Sequence, residues 1–264
     1  FLYMANFVVY QNAKVHYTDT GNGEAVVLLH GFLENLSMWN DLVPHITKSY
    51  RVICIDLLGH GASEGINHTH SMCIMSEAVY TVIQSLDLRQ IILIGHSMGG
   101  YVSLALLEKY GSFIKAICLI NSTAVADTEN RKKQRHKAIR LVKNNSQEFI
   151  KLMTSTFFND ESAKKFKNEL NSLQFDALKM SPNNIIAAIE GMKNRKDRLK
   201  LFQSYSLPKM VILGRKDSII NFKKQQDYYH KTDVQIVELS NGHMSHIENK
   251  EDFTYNIMYF IENI

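Results

Sequence analysis

The residues with the clearest chemical potential form the stretch Gly95-His96-Ser97-Met98-Gly99, where one serine stands between two glycines. Four apolar residues precede this stretch, and a helical pattern follows it at once. A sharp turn from a buried strand into a helix strains its central residue and leaves room only for glycine two residues before and after it. Such a turn exposes the serine hydroxyl and sets the Met98 amide at a helix N-terminus, where negative charge is stabilised. The pattern predicts that Ser97 is a nucleophile.

A serine hydroxyl is a weak nucleophile unless a base removes its proton, and that base needs a group that orients it. His243 follows the strand-like VQIVEL through a glycine turn, and Asp217 ends the strand-like ILGRKD. Both side chains are expected at the carboxyl-terminal edge of the sheet, where the serine also emerges. We therefore predict a catalytic set of Ser97, Asp217 and His243, in that chain order.

Other residues compete for the roles of base and acid. His246 is predicted to begin the last helix. His243 is favoured as the base, because it follows the strand through a glycine turn. Asp56 also ends a strand, but the glycines after it indicate that it organises a tight loop, and a structural role is likewise predicted for Glu248. The spacing of His243 and His246 comes with no clustered third ligand, so no metal site is predicted.

A hydrolytic serine also needs donors for the negative oxygen of its tetrahedral intermediate. The segment His30-Gly31-Phe32 ends the strand-like AVVLL, and its glycine allows the Phe32 amide to turn towards the serine. With the Met98 amide this predicts a two-donor oxyanion hole, and the alternative is an ordinary turn at a strand end. His60 and His96 lie inside glycine turns and are predicted to form local hydrogen bonds.

A set of apolar side chains is expected to line an acyl pocket and so to bind substrate. These residues are Phe32, Trp39, Met153, Phe157 and Phe158. For the last three, packing between helices is an equally good explanation.

The elements that must position these residues alternate between strands and helices. Strand-like segments in the first third are NFVVYQ, KVHYTDTG, AVVLLHG and RVICIDLLG. Residues 71–86 repeat apolar side chains every three or four positions, which predicts a helix. QIILIG is then strand-like, YVSLALLEKYG is helical and closed by Gly111, and IKAICLINS is strand-like again. This alternation predicts an α/β fold with a mostly parallel central sheet flanked by helices.

Strand character disappears between residues 123 and 204. Helical patterns there cover 129–143, SQEFIKLMTSTFF, ESAKKFKNELNSL and a stretch that begins at Ser181-Pro182. KMVILG and VQIVEL are strand-like again, and a final amphipathic helix covers about 251–262. We therefore predict a core domain of residues 1–122 and 205–264, interrupted by a helical cap of residues 123–204.

The composition is that of a globular protein, with 264 residues of which 45% are hydrophobic and 21% charged. No segment approaches the roughly 18 consecutive apolar residues of a membrane span. The N-terminal FLYMANFVVYQ lacks the features of a secretory signal, and Met4 is a candidate natural start preceded by Phe1 to Tyr3. Three cysteines, two of them in strand-like segments, favour reduced thiols in the cytoplasm.

The net charge of +4 comes from one segment of the chain. Residues 122–204 hold 17 Lys+Arg against 9 Asp+Glu, so their net charge is +8 and that of the remainder is −4. The cluster RKKQRHK at 131–137 lacks interleaved aromatic residues and a recognisable nucleic-acid-binding module, which favours a solvated helix face. We expect a small-molecule substrate, no nucleic acid, and a monomer or homodimer.

Together these segments resemble the α/β-hydrolase-fold family over nearly the whole chain. HGFLENLSMW resembles the family's oxyanion segment, DLLGHGAS its strand-ending loop, GHSMGGY its nucleophile elbow, and GRKDSII and GHMSHIE its acid and histidine segments. The resemblance implies that Ser97 is the nucleophile, His243 the general base and acid, and Asp217 the residue that orients the imidazole. It also implies that the helical insertion is a cap that roofs the site. Leu58 departs from the pattern, since many relatives have proline there.

Three functions are compatible with these residues. Within the family, the chain resembles small carboxylesterases, monoacylglycerol-lipase-like enzymes and carbon–carbon bond hydrolases. The first expectation is therefore a cytoplasmic serine hydrolase. It would cleave a carboxylic ester of a small or medium acyl group through an acyl-Ser97 intermediate, without metal or organic cofactor. The second is a carbon–carbon bond hydrolase or lyase for a carboxylated metabolite, with Arg131, Arg135 or Arg140 binding the carboxylate. The third is a ligand-binding receptor with little turnover.

Overall fold

A computed structural model describes residues 6–66 and 69–264 of the chain. The hypothesis that Met4 is the natural start concerns residues outside these ranges. Within them, all eight segments that the sequence predicts as strands form strands. They are β1 (Asn6–Tyr10), β2 (Ala13–Thr20), β3 (Ala25–Leu29), β4 (Arg51–Ile55), β5 (Ile91–His96), β6 (Ile114–Ile120), β7 (Lys209–Gly214) and β8 (Gln235–Leu239).

The strands form one sheet in the order β1-β2-β4-β3-β5-β6-β7-β8. Only β1 with β2, and β2 with β4, pair antiparallel, while every other neighbouring pair is parallel. Parallel neighbours need crossover connections, and helices supply them on both faces of the sheet. The predicted α/β fold with a mostly parallel sheet flanked by helices is confirmed.

Eleven helices lie in the described ranges. They are α1 (Val43–Ile46), α2 (Met72–Ser85), α3 (Met98–Tyr110), α4 (Glu129–Ser155), α5 (Asp160–Lys165), α6 (Lys167–Ala177), α7 (Pro182–Lys193), α8 (Leu199–Ser204), α9 (Phe222–Tyr229), α10 (Ser245–Glu248) and α11 (Lys250–Glu262). The predicted helix start at Ser181 is confirmed for α7, because the Ser181 hydroxyl caps this helix by accepting a hydrogen bond from the Asn184 amide. Helix α3 ends at Tyr110 with Gly111 as its C-cap, as the sequence predicts. The φ of Gly111 is −56°, so the chain continues into a 3-10 turn that ends at Phe113.

The alternation of side chains along each strand divides the core into two layers. On β3, Val27 and Leu29 face the layer that contains α2 and α3. Val26 and Leu28 face the opposite layer, which contains α1 and α11. Both faces of the central strands are therefore buried, which explains their almost continuous apolar sequences.

Only helices, α4 to α8, lie between β6 and β7. Helix α4 contains a break at Asn145, whose φ of −157° and ψ of 90° are not helical, and the Asn145 side chain accepts from the Glu148 amide. The two predicted helices 129–143 and 146–158 therefore meet at a capped break. Phe149, just after the break, is buried in the same layer as α3. The assignment of residues 123–204 to a cap domain stays a prediction.

None of the helices in the described ranges is long and apolar enough to cross a bilayer.

The structure contradicts the expectation that Trp39 lines an acyl pocket. Trp39 ends a 3-10 turn, Leu36–Trp39, that packs against β3 and β4. Its side chain is fully buried in the layer of α1 and α11, on the sheet face opposite α3. The Trp39 side chain is therefore part of the hydrophobic core.

We predict that Trp39→Phe lowers the free energy of unfolding by about 1–2 kcal/mol, because a smaller ring leaves part of this buried space unfilled. Urea unfolding followed by circular dichroism measures the change. Tyr255→Phe is the matched control, because Tyr255 is 67% exposed and its unfolding midpoint should not move. Equal midpoints for Trp39→Phe and wild type would contradict a core role.

Candidate active site

Ser97 occupies the turn between β5 and α3 with a φ of 49° and a ψ of −112°. A positive φ is strained for a residue other than glycine and is tolerated where the surroundings enforce it. A Cβ on Gly95 would lie 2.5 Å from the Gly99 carbonyl oxygen, and one on Gly99 would lie 2.3 Å from the Leu29 carbonyl oxygen. Glycine at both positions is therefore what lets α3 pack against the strand ends and hold Ser97 in this turn.

The structure brings Ser97, His243 and Asp217 into one hydrogen-bonded row. Ser97 Oγ lies 3.1 Å from His243 Nε2, and His243 Nδ1 lies 2.8 Å from Asp217 Oδ2. The side chains of His243 and Asp217 are each 2% exposed. With the imidazole proton on Nδ1 facing the carboxylate, Nε2 is free to accept the serine proton.

Asp217 is held as a carboxylate by its surroundings. Burial by itself raises the pKa of Asp217, but the neighbouring His243 and several hydrogen bonds outweigh burial and hold that pKa below its usual value. The amides of Ile219 and Ile220 donate to Oδ1 at 2.8 and 2.9 Å. An ionised Asp217 can orient the imidazole and stabilise its protonated form.

Asn121, which sequence analysis missed, joins the acid to the histidine loop. Its Nδ2 donates to Asp217 Oδ2 at 2.9 Å and to the Gly242 carbonyl at 3.2 Å, while its Oδ1 accepts from the Ser245 hydroxyl. Asn121 is the first residue after β6 and is fully buried. The sequence did contain one indication of its role, because Asn121 lies near the end of a predicted strand, at the sheet edge where Ser97 and Asp217 are expected.

A second buried pair, Glu34 and His96, lies next to the row of Ser97, His243 and Asp217, and sequence analysis missed it too. His96 Nδ1 lies 2.7 Å from Glu34 Oε2, and His96 Nε2 donates to the His243 carbonyl at 3.0 Å. Glu34 Oε2 also accepts from the Gly31 amide at 2.8 Å. The prediction of local hydrogen bonds for His96 is therefore wrong, because this side chain links the strand end at Gly31 to the histidine loop.

The charges of this pair follow from its geometry. Burial favours the neutral form of each group, but each stabilises the charge of the other. The pKa of Glu34 is held at about 2, and that of His96 is raised above its usual value. Because both nitrogens of His96 face acceptors, the geometry fits an imidazolium paired with a carboxylate.

The segments expected to form the oxyanion hole end adjacent parallel strands. Leu29 of β3 pairs with Gly95 of β5, so the chain reaches Phe32 and Met98 at the same edge of the sheet. Phe32 is 5% exposed and Met98 is fully buried as the first residue of α3. This placement is compatible with the predicted donors, whose role stays a prediction.

Asp56 and Glu248, the alternative carboxylates considered for the acid, bond to backbone amides in loops. Asp56 accepts from the amides of Ala62 and Leu36 and contacts His16, as expected of a loop organiser. Glu248 accepts from the amides of Gly242 and Met244 in the histidine loop. In the described ranges, no group of His, Cys, Asp and Glu side chains could hold a metal ion.

His246 and His60 also lie away from the row. His246 belongs to α10, with its Nε2 3.9 Å from Glu34 Oε1. His60 contacts the nearby Leu58 carbonyl at 3.1 Å, as predicted for a local hydrogen bond.

Aromatic side chains of the helical segment contact His243 and Phe32. The Phe157 ring centroid lies 5.6 Å from that of His243, and Phe157 and Phe158 form a buried cluster with Met244 against which Met153 packs. The Phe32 ring lies 6.4 Å from that of Phe149, a residue that sequence analysis did not select. The helical segment therefore contributes apolar side chains next to both His243 and Phe32.

The model of the alpha/beta hydrolase fold family matches residues 24–250. The chain belongs to this family. Its match to an uncharacterized protein of Mycobacterium tuberculosis has 27% identity over 110 residues, 42% of this chain and 32% of the other, so it spans about a third of that relative's length.

Other similar proteins carry names of enzymes. The solved structure of a thermophilic esterase from Thermogutta terrifontis superposes with a TM-score of 0.92 and 25% identity over 98% of both chains. A 2-hydroxy-6-oxononadienedioate/2-hydroxy-6-oxononatrienedioate hydrolase of Burkholderia vietnamiensis is 27% identical over 78% of this chain and 76% of its own. A monoacylglycerol lipase of Xenopus laevis is 26% identical over 81% of this chain and 68% of its own. The family supports a hydrolase, and these similar proteins carry the names of different hydrolases.

We predict that Glu34→Gln lowers the free energy of unfolding at pH 7 by about 3–5 kcal/mol, because it breaks the buried ion pair and His96 must then either lose its proton or stay charged without a partner. The pKa of His96 should then fall below 6.5, which NMR titration of its ring measures. In wild type, the raised pKa of His96 contributes stability that is lost as pH rises above 6.5 through the folded value. The lowered pKa of Glu34 contributes stability that is lost as pH falls from 4.5 towards about 2.

Glu24→Gln is the matched control for this substitution. Its carboxylate pairs with Lys115 at 2.7 Å on the surface, where both side chains are about one-third exposed, so its loss should cost no more than about 1 kcal/mol. Equal destabilisation by the two substitutions, or an unchanged His96 titration, would contradict the buried ion pair.

Proposed function

We propose that this protein is a serine hydrolase that cleaves a carboxylic ester of a small or medium acyl group. One observation carries the proposal: Ser97 Oγ, His243 and Asp217 form a buried row with separations of 3.1 and 2.8 Å. A structural serine has no need of a histidine that is itself oriented by an ionised aspartate. Family membership supports the reaction class.

The proposed reaction begins when Ser97 Oγ attacks the carbonyl carbon of the ester and His243 Nε2 takes the serine proton. The carbonyl oxygen becomes negative and accepts hydrogen bonds from the amides of Phe32 and Met98. His243 gives its proton to the departing alcohol, which leaves an acyl-Ser97 intermediate. His243 then removes a proton from water, whose oxygen attacks the acyl carbon. The bond between that carbon and Ser97 Oγ breaks, His243 returns the proton to Ser97 Oγ, and the acid leaves. Asp217 stays ionised throughout and stabilises the imidazolium.

The preference for a small or medium acyl group is supported by burial and by the aromatic walls. Ser97 is 8% exposed, and Phe157 and Phe158 are each 4% exposed, so little open space surrounds the nucleophile. We include in the proposal that residues 123–204 act as the cap and that Met153, Phe157 and Phe158 contact substrate with Phe32. The free, buried thiols of Cys54 and Cys118 support the cytoplasm as its location.

We predict that Ser97→Ala abolishes both the fluorophosphonate adduct, measured by intact mass, and the hydrolysis of p-nitrophenyl esters. Turnover should fall at least about 10³-fold, because removing the nucleophile disables the whole set. The wild-type protein should hydrolyse p-nitrophenyl esters of short and medium acyl chains faster than those of long acyl chains. Ser85→Ala is the matched control, because Ser85 ends α2 with a bond to the Val82 carbonyl and should leave the adduct intact.

An adduct that persists in Ser97→Ala would identify a different nucleophile. Tight saturable ligand binding by wild type without adduct or turnover would instead favour the ligand-binding receptor.

A second candidate function, cleavage of a carboxylated metabolite at a carbon–carbon bond, is favoured by the contacts of three arginines in the helical segment. Arg135 and Arg195 contact the same carboxylate, that of Asp127, at 3.2 and 2.6 Å, which leaves one positive charge beyond neutrality. Arg131 donates to the Ile219 carbonyl in the loop that follows Asp217. The named substrate class of the Burkholderia vietnamiensis relative is a dicarboxylate.

For this candidate, Arg131→Gln should lower the ratio of kcat/KM for a carboxylated substrate to that for a neutral ester by about tenfold or more, because a charged hydrogen bond is lost. Arg140→Gln is the control, since Arg140 is exposed on α4 and should leave the ratio unchanged. An unchanged ratio in Arg131→Gln would leave the ester hydrolase as the better proposal.

A further inference from the structure

The carboxylate of Glu248 holds the backbone on both sides of His243. Its Oε2 accepts from the Gly242 amide at 3.1 Å, and its Oε1 accepts from the Met244 amide at 3.1 Å. Glu248 is the last residue of α10 and is 5% exposed. The position of the His243 imidazole therefore depends on where this one carboxylate lies.

Ser162, in helix α5 of the helical segment, is a third donor to the same carboxylate. Its hydroxyl donates to Glu248 Oε2 at 2.6 Å. Ser162 is 5% exposed, so this bond is shielded from water. A hydrogen bond to a carboxylate in such surroundings is stronger than one between neutral groups in water. The bond therefore links the helical segment to the loop that carries His243.

The place of Ser162 is itself fixed by local contacts. Asn159 caps α5, and its Oδ1 accepts from the Ser162 amide at 2.9 Å. Phe157 and Phe158, just before this cap, are buried in one cluster with Met244 of the histidine loop. The cap and the apolar cluster together hold the Ser162 hydroxyl against that loop.

Hydrogen bonds are what compensate the burial of Glu248. None of the ion pairs in residues 6–66 and 69–264 includes this carboxylate. A buried carboxylate that loses a donor is destabilised until it finds another one. Without the Ser162 hydroxyl, movement of Glu248 towards a new donor would displace the amides of Gly242 and Met244, and His243 with them.

We propose that Ser162 is a positioning residue, which acts through Glu248 to hold His243 within bonding distance of Ser97. This inference rests on the proposed function, because the 3.1 Å separation of His243 Nε2 and Ser97 Oγ matters for proton transfer only if the serine is a nucleophile. It gives the helical segment a part in aligning the reacting groups, besides its contact with substrate.

The first test is the hydrolysis of p-nitrophenyl butyrate by Ser162→Ala. The kcat should fall about tenfold while KM changes less than about twofold, because the reacting groups lose alignment and the side chains around the serine stay in place. Ser155→Ala is the matched control, since Ser155 is an exposed serine of the same segment that donates to the Lys151 carbonyl. Its kcat and KM should equal those of wild type.

A double-variant cycle tests whether Ser162 acts through Glu248. In the Glu248→Gln background, the further change Ser162→Ala should lower kcat less than about twofold, because the link is already broken. Independent effects would instead multiply. Thermal unfolding of each variant checks that the fold is intact.

A spectroscopic measurement separates the positioning role from hydrolysis. The proton between His243 Nδ1 and Asp217 Oδ2, which lie 2.8 Å apart, is observed by NMR. Its resonance should broaden in Ser162→Ala, because a looser histidine loop exchanges this proton with water faster, and should keep the wild-type line in Ser155→Ala. Wild-type protein without adduct or turnover would refute the hydrolase, and this resonance would still decide the positioning role.

Four results would overturn the inference. They are an unchanged kcat in Ser162→Ala, a rise in KM alone, effects that multiply in the double variant, and a His243 resonance that stays as sharp as in wild type.

Discussion

Close packing of helix α3 on the ends of β3 and β5 is the constraint on which the rest of the structure depends. A side chain at Gly95 or Gly99 would overlap backbone atoms, so only glycine allows strand and helix to approach this closely. That approach forces Ser97 into a positive φ and keeps its hydroxyl at the sheet edge. The strain at one residue is sustained by the two buried layers of side chains on either face of the sheet.

A network of buried polar groups then connects the loops that leave the strand ends. Asn121 joins the Asp217 loop to the histidine loop, and the Glu34–His96 pair joins the histidine loop to the segment that follows β3. Buried charges are costly unless paired, so these groups hold the loops in one arrangement and resist alternatives that would leave a charge alone. This network, together with the strands, holds His243 beside Ser97.

Several features of the fold and site could be read from local patterns. The eight strands follow from short apolar runs between turn signals, and the serine turn follows from two glycines around Ser97, because both patterns reflect constraints that act within a few residues. The order of Ser97, Asp217 and His243 was predictable for the same reason, since each ends a strand of a parallel sheet. Local patterns failed at His96, whose partners lie 62 and 147 residues away in the chain. They failed also at Trp39, because an apolar ring looks the same in sequence whether it lines a pocket or fills a core.

The sequence by itself determined the α/β class, the strand ends and the choice of Ser97, Asp217 and His243, which the structure places in one hydrogen-bonded row. Periodicity, glycine spacing and strand termination are local, and a parallel sheet converts them into a shared edge. Only the tertiary structure decided which polar groups support that edge, which face Trp39 occupies, and which helix contacts the histidine loop. Those outcomes depend on contacts between distant segments, whose energies come from burial and charge pairing rather than from neighbours in the chain.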